Sequence, residues 1–168
     1  MKLIPAFLQS GRTRIKGDGK IFIPSRRDSV SSGMFGVSLA IRFGSQRHDD
    51  PHGNIRLKTD LSDSLKGTFT ATSIELVHAN KKQQPVVFLT GSCKAFAENA
   101  PDGLRYWLKL ACDEHKKEMT EYIGFVVHDQ KGNRVAYGTG PLVSGTIKIS
   151  PKNILIKAEP ARFNNRSR

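Results

Sequence analysis

Residues 122–149 read YIGFVVHDQKGNRVAYGTGPLVSGTIKI. Before the turn, apolar side chains fall at every second position, so that Ile123, Phe125 and Val127 share one face. Successive side chains of a strand point to opposite sides, and a period of two therefore marks a strand with one buried face. Residues 129–133 (DQKGN) supply the turn, being rich in types that bend the chain or accept positive φ. Val135 and Tyr137 open a return strand, which Gly138, Gly140 and Pro141 are expected to break. Val143, Ile147 and Ile149 form a further strand, and Ile154 and Ile156 are candidates for an added edge. The stretch predicts a hairpin in an antiparallel β protein.

The same period extends through the chain. MFGVSLAIRF (34–43) sets Phe35, Val37, Leu39, Ile41 and Phe43 against Gly36, Ser38, Ala40 and Arg42. NIRLKTD (54–60) alternates Ile55 and Leu57 with Arg56 and Lys58. In GTFTATSIELVH (67–78), Phe69 and Ala71 are in phase while Ile74 and Leu76 are shifted, which predicts a bulge near Thr72 or Ser73. PVVFLTGSCKAF (85–96) is a long strand. LRYWLKLAC (104–112) places Leu104, Tyr106, Leu108, Leu110 and Cys112 on one side and Arg105, Trp107, Lys109 and Ala111 on the other. Between these two strands ENAPDG (98–103) reverses the chain. Only residues 1–10 and 113–122 suggest helix.

A chain of 168 residues is long enough for one domain with a substantial core. The expected fold is all-β: an antiparallel two-sheet sandwich or flattened barrel of nine to ten strands, with extended basic termini. Residues 1–16 are assigned to a basic N-terminal arm, 17–158 to the β domain and 159–168 to a basic C-terminal tail.

The formal net charge is +12. Residues 1–27 contain Lys2, Arg12, Arg14, Lys16, Lys20, Arg26 and Arg27 with one acid, Asp18. Residues 148–168 contain Lys148, Lys152, Lys157, Arg162, Arg166 and Arg168 with one acid, Glu159. The two ends contribute +6 and +5, leaving +1 for everything between them. Such an excess favours anionic partners and says nothing about fold.

The strand order GDGKIFIP, FGVSLAIRF, GNIRLKT, FTATSIELV, VVFLTGSCKAF, YWLKLACDE, YIGFVVHDQKGNRVAY and SGTIKI resembles an all-β module often appended to secreted bacterial surface proteins. The likeness covers residues 17–150 or so, and its motifs are structural. It implies a β fold and a non-enzymatic role, with a surface adhesin or glycan-binding module as one form of that role.

The start of the chain, MKLIPAFLQSGRTRIKG, has an apolar patch only from Leu3 to Leu8, interrupted by Pro5. A secretory signal needs a longer apolar stretch and a small-residue cleavage site. No segment reaches the roughly 20 apolar residues of a membrane-spanning helix. The expected setting is intracellular, in cytoplasm or an organelle matrix, with a virion as the other possibility.

Sites for chemistry are sparse. RHDDPH (47–52) offers His48, Asp49, Asp50 and His52 as ligand types, but in a polar loop with nothing to fix their geometry. Asp113, Glu114, His115, Glu118 and Glu121 lie alongside Lys116 and Lys117 in a charged connection, where a carboxylate pair has no desolvation to separate its pKa values. There is no G-x-S-x-G elbow and no phosphate-binding P-loop. Cys93 and Cys112 fall out of register on neighbouring strands, so free thiols are expected. No catalytic residue, metal site or cofactor is predicted.

Binding has stronger support. Arg12, Arg14, Lys16, Arg26 and Arg27 near the start and Arg162, Arg166 and Arg168 at the end are the candidate nucleic-acid contacts, since basic arms neutralise phosphates. Trp107, between Arg105 and Lys109 on a polar strand face, is a candidate for base stacking. The expected function is a non-enzymatic structural protein whose arms dock on RNA in a large ribonucleoprotein, in the manner of a ribosome accessory subunit. The alternative is a capsid or shell subunit, whose partners are neighbouring protein subunits.

Overall fold

A computed structural model of the chain describes residues 13–25, 31–43, 51–80, 86–111, 122–150 and 154–157. All regular structure among them is β. The strands are β1 (Thr13–Ile23), β2 (Gly33–Phe43), β3 (His52–Leu61), β4 (Gly67–Ala71), β5 (Glu75–Asn80), β6 (Val86–Phe96), β7 (Leu104–Ala111), β8 (Tyr122–His128), β9 (Arg134–Ser150) and β10 (Ile154–Lys157). The two helical expectations lie outside the described residues, apart from Tyr122, which begins β8.

Each strand pairs antiparallel with the next along the chain, except that β4 pairs with β6 instead of β5, and β1 pairs with β9. That last pairing closes the sheet into a ring. Of the expected two-sheet sandwich or flattened barrel of nine to ten strands, the all-β antiparallel character holds, and the architecture is one closed barrel of eight staves instead of two sheets. Two segments account for the difference in number. β4 and β5 both lie on β6 and together form one stave, while β10 flanks the second half of β9 outside the ring. Closure satisfies the outer ladders of β1 and β9, which a sandwich would leave as edges.

The break between β4 and β5 is the predicted bulge. Ala71 faces Cys93 and Glu75 faces Thr90, so β4–β5 carries one more residue than β6 over the same span. The amides of Thr72 and Ser73 both donate to the carbonyl of Ser92, at 2.8 and 3.2 Å. The shift from Phe69 to Ile74 in the apolar phase thus marks a real change of register.

β9 runs unbroken through Gly138, Gly140 and Pro141, contrary to the expected interruption. Residues 134–141 pair with β8 and residues 142–150 with β1. The glycines serve packing here. A Cβ on Gly138 would lie 3.0 Å from Ile23 Cδ1, and one on Gly140 would lie 2.7 Å from Ile21 Cγ2. Side chains of β1 thus occupy the space that larger residues on β9 would need.

The seam also depends on Gly17 and Gly145, with φ of 149° and 97°. A Cβ on Gly17 would run into the carbonyl oxygen of Thr146, and one on Gly145 into that of Asp18. Glycine alone accepts both the backbone conformation and this approach.

Inward-facing side chains fill the ring. Phe35 of β2 and Phe125 of β8 belong to strands that are not neighbours, yet their ring centroids lie 4.7 Å apart. Leu104, Tyr106, Leu108 and Leu110 of β7 are all buried, in the predicted phase. An eight-stranded barrel has an interior just wide enough for side chains to fill it. Two buried polar side chains find partners in the wall: Tyr106, facing inward, donates its hydroxyl proton to Ser73 O at 3.0 Å, and Thr90, on the outer face, donates from Oγ1 to Tyr106 O at 2.6 Å. Cys93 is buried as a free thiol, while Cys112 lies outside the described residues.

The hairpin that opened the sequence is held by one carboxylate. Asp129 Oδ1 accepts from the amides of Lys131 and Asn133 at 2.8 and 2.9 Å, and Oδ2 accepts from the Asn133 side-chain amide at 2.9 Å. These bonds hold its carboxyl below the usual carboxylate range, with the Asn133 side chain the largest cause.

Candidate nucleic-acid interface

The outer surface of the barrel is decided by register, because residues opposite one another on neighbouring strands point the same way. Arg14 of β1 faces Arg42 of β2. Two residues along, Lys16 of β1 faces Lys148 of β9. These are two like-charge pairs in successive rows, on opposite sides of one strand. Like charges placed directly opposite destabilise a sheet. β1, β2 and β9 together contain a single acid, Asp18, and no ion pair within 4.0 Å joins any of the four cations to an acid among the described residues.

The basic wall continues onto β3. Arg56 faces Ser38, and Lys58 faces Gly36, which in turn faces Lys20. With no side chain on Gly36, nothing stands between Lys20 and Lys58 in that row. Asp60 lies at the far end of β3, where Lys66 Nζ takes its carboxylate at 2.8 Å and holds its pKa below the usual range.

Near-neutrality of the middle of the chain conceals this segregation. Among the ten strands the only acids are Asp18, Asp60 and Glu75. The turns carry others, among them Asp63, Glu98, Asp102 and Asp129. Asp18 stands among these cations on the outer face of β1, and the other acids named lie in turns or near strand ends.

A second face spans β6 to β9, whose strands contain no aspartate or glutamate. Thr90, Trp107, Val126 and Tyr137 form one row across these four strands. Phe88, Lys109 and Gly124 lie in the adjacent row on one side, and Ser92, Arg105 and His128 in that on the other. Trp107 is 43% exposed, as the inward placement of Tyr106 and Leu108 requires. The Lys109 ammonium stands 5.7 Å from the centre of the Phe88 ring, and the Arg134 guanidinium 4.5 Å from that of Tyr137. Glu75, across from Thr90 on β5, is neutralised by Arg105 at 3.1 Å.

Of the residues expected to contact nucleic acid, Arg14 and Lys16 are exposed strand residues, because β1 begins at Thr13. Arg12, Arg26, Arg27, Arg162, Arg166 and Arg168 lie outside the described residues. So do His48, Asp49 and Asp50 of the polar loop. No group of three or more metal-ligand side chains occurs among the described residues. Sequence reasoning missed Arg42 and Lys148 as partners of Arg14 and Lys16. Their polar phase was legible, but which strands lie beside β1 was not.

Both faces present cations to an extended anion, and the second adds the exposed ring of Trp107. No helix among the described residues is long and apolar enough to cross a membrane. The outer wall carries charge where a membrane barrel carries an apolar band. Comparison with protein-family models, with curated proteins and with solved structures finds no match for this chain.

Proposed function

We propose that the protein is a non-enzymatic RNA-docking subunit of a large ribonucleoprotein, with the barrel as a rigid platform for phosphate contacts. The observation that carries this reading is the pairing of Arg14 with Arg42 and of Lys16 with Lys148. Side-by-side cations cost stability, and a polyanion lying across them relieves that repulsion. The basic segments at either end, with Arg12, Arg26, Arg27, Arg162, Arg166 and Arg168, extend the same chemistry. Phosphate contacts of this kind hold and orient a nucleic acid without reading its sequence.

Binding of single-stranded RNA across a salt series tests the reading. Each neutralised phosphate contributes about 0.7 to the slope of log affinity against log salt. Changing Arg14, Arg42, Lys16 and Lys148 together to Gln flattens the slope and leaves the unfolding midpoint unchanged or raised. Changing Arg162, Arg166 and Arg168 to Gln flattens it separately. Equal slopes for all chains would dismiss phosphate docking.

A second reading, a shell subunit that contacts protein neighbours, draws on other residues. Phe22 and Met34 face each other on β1 and β2 and are both exposed, as are Tyr122 and Val143. Concentration-dependent self-association in sedimentation, without RNA affinity, favours that reading.

A further inference from the structure

We infer that the outer face of β6–β9 is a base-stacking platform centred on Trp107, which makes the preferred partner single-stranded RNA. This rests on the RNA-docking reading above and extends it from phosphate to base.

Three observations carry it. The first is the row Thr90, Trp107, Val126 and Tyr137, which places two aromatic side chains two strands apart, about 10 Å at ordinary strand spacing. Val126 between them is short, and of the two rings Trp107 is the exposed one, while Tyr137 is half-buried beside the Arg134 guanidinium. Thr90, on the other side of Trp107, is 4% exposed and spends its hydroxyl on Tyr106 O, so it does not compete for a ligand.

Second, the charge is complementary to nucleic acid. The four strands lack any acid, and Glu75 on the flanking strand β5 is already paired with Arg105, while Glu98, Asp102 and Asp129 lie in the turns that join β6 to β7 and β8 to β9. Lys109 and Arg134 lie against Phe88 and Tyr137, close enough to reach the backbone of a strand whose bases rest on the rings. A cationic groove with aromatic platforms is the general means of binding single strands, because every base has a π-face to offer.

Third, the rings favour single strands over duplex. In a duplex the base faces are already stacked on one another, and only edges and backbone reach a protein. A flat aromatic row has nothing to stack on there, whereas an unpaired strand presents its base faces. The basic wall at Arg14 and Lys16 does not discriminate in this way, since it meets phosphates alone.

The chain contains one tryptophan, so its fluorescence reports Trp107 without ambiguity. The full-length protein is titrated with oligouridylate and with a blunt RNA duplex of equal length, at one salt concentration. Stacking quenches the emission on oligouridylate binding and leaves it nearly unchanged on duplex binding. Trp107→Ala lowers oligouridylate affinity about tenfold to a hundredfold and leaves the salt slope and the unfolding midpoint as they were. Trp107→Phe retains most of the affinity. Salt-dependent binding of both RNAs with no quenching, or with full affinity in Trp107→Ala, overturns the stacking platform and leaves phosphate docking standing. Absence of any RNA binding overturns both.

Discussion

Lys16 on β1 and Lys148 on β9 stand directly opposite each other across the seam that closes the barrel. A sheet selected for stability alone would place unlike charges there. Lys148→Glu turns a repulsive pair into an attractive one and is expected to stabilise the fold by at most about 1 kcal/mol. The same change removes a phosphate contact and adds an anion, so RNA affinity falls. Thermal melts and binding isotherms of this single variant must move in opposite senses. Loss of both would mean that Lys148 supports the seam itself.

Leu108 is fully buried on β7, while Lys109 beside it is exposed. Leu108→Ala removes a branched side chain from a filled interior and is expected to cost roughly 2–5 kcal/mol. Lys109→Ala is expected to be near neutral for stability. Denaturant unfolding of the two variants, at equal m-value, checks the difference.

Burial pushes the Cys93 thiol up to about 11, from an ordinary value near 9.0. In the unfolded chain the thiol ionises first, so between these values the unfolded state binds fewer protons than the folded one. Stability contributed by the protonated thiol is complete below pH 9, and it is lost as pH rises toward 11. Burial pushes the Tyr106 hydroxyl in the same direction and adds its own loss at still higher pH. Cys93→Ala is expected to flatten the decline in the lower part of that window, measured by denaturant unfolding at several pH values. At pH 8 the native thiol reacts slowly with alkylating reagents, and the unreduced, denatured chain yields two free thiols.

Gly17 sits at the seam with φ of 149°, where a Cβ would meet the Thr146 carbonyl. Gly17→Ala is expected to destabilise by more than about 1 kcal/mol, through strain at positive φ and separation of β1 from β9. Amide exchange separates this from a uniform loss: protection falls first at the β1–β9 ladder and last at β6–β7. Unchanged protection at the seam would contradict this account of closure.

Local rules made much of the fold legible. The alternation of Leu104, Tyr106, Leu108 and Leu110 identified the buried face of β7, because a side chain's direction in a strand follows from its position alone. The slip from Phe69 to Ile74 identified the bulge for the same reason. The turn at residues 129–133 was readable because Asp129 and Gly132 satisfy requirements within a few residues of themselves. Trp107 was placed on the outer face by the same alternation, near the middle of its strand.

The meeting of β1 with β9 was not readable in this way. It joins residues more than a hundred positions apart, and the alternation of each strand is equally compatible with a sandwich or a barrel. Gly138 and Gly140 look like strand breakers in sequence, and only the side chains of Ile21 and Ile23 beside them reveal that they are packing positions. The same limit applies to the candidate site. Composition fixed the sign of the charge, and alternation placed Arg42 and Lys148 on polar faces, whereas Arg14 and Lys16 were assigned to an arm and not to a strand. The tertiary structure brought them together, since register between distant strands depends on how their apolar faces fill a common interior.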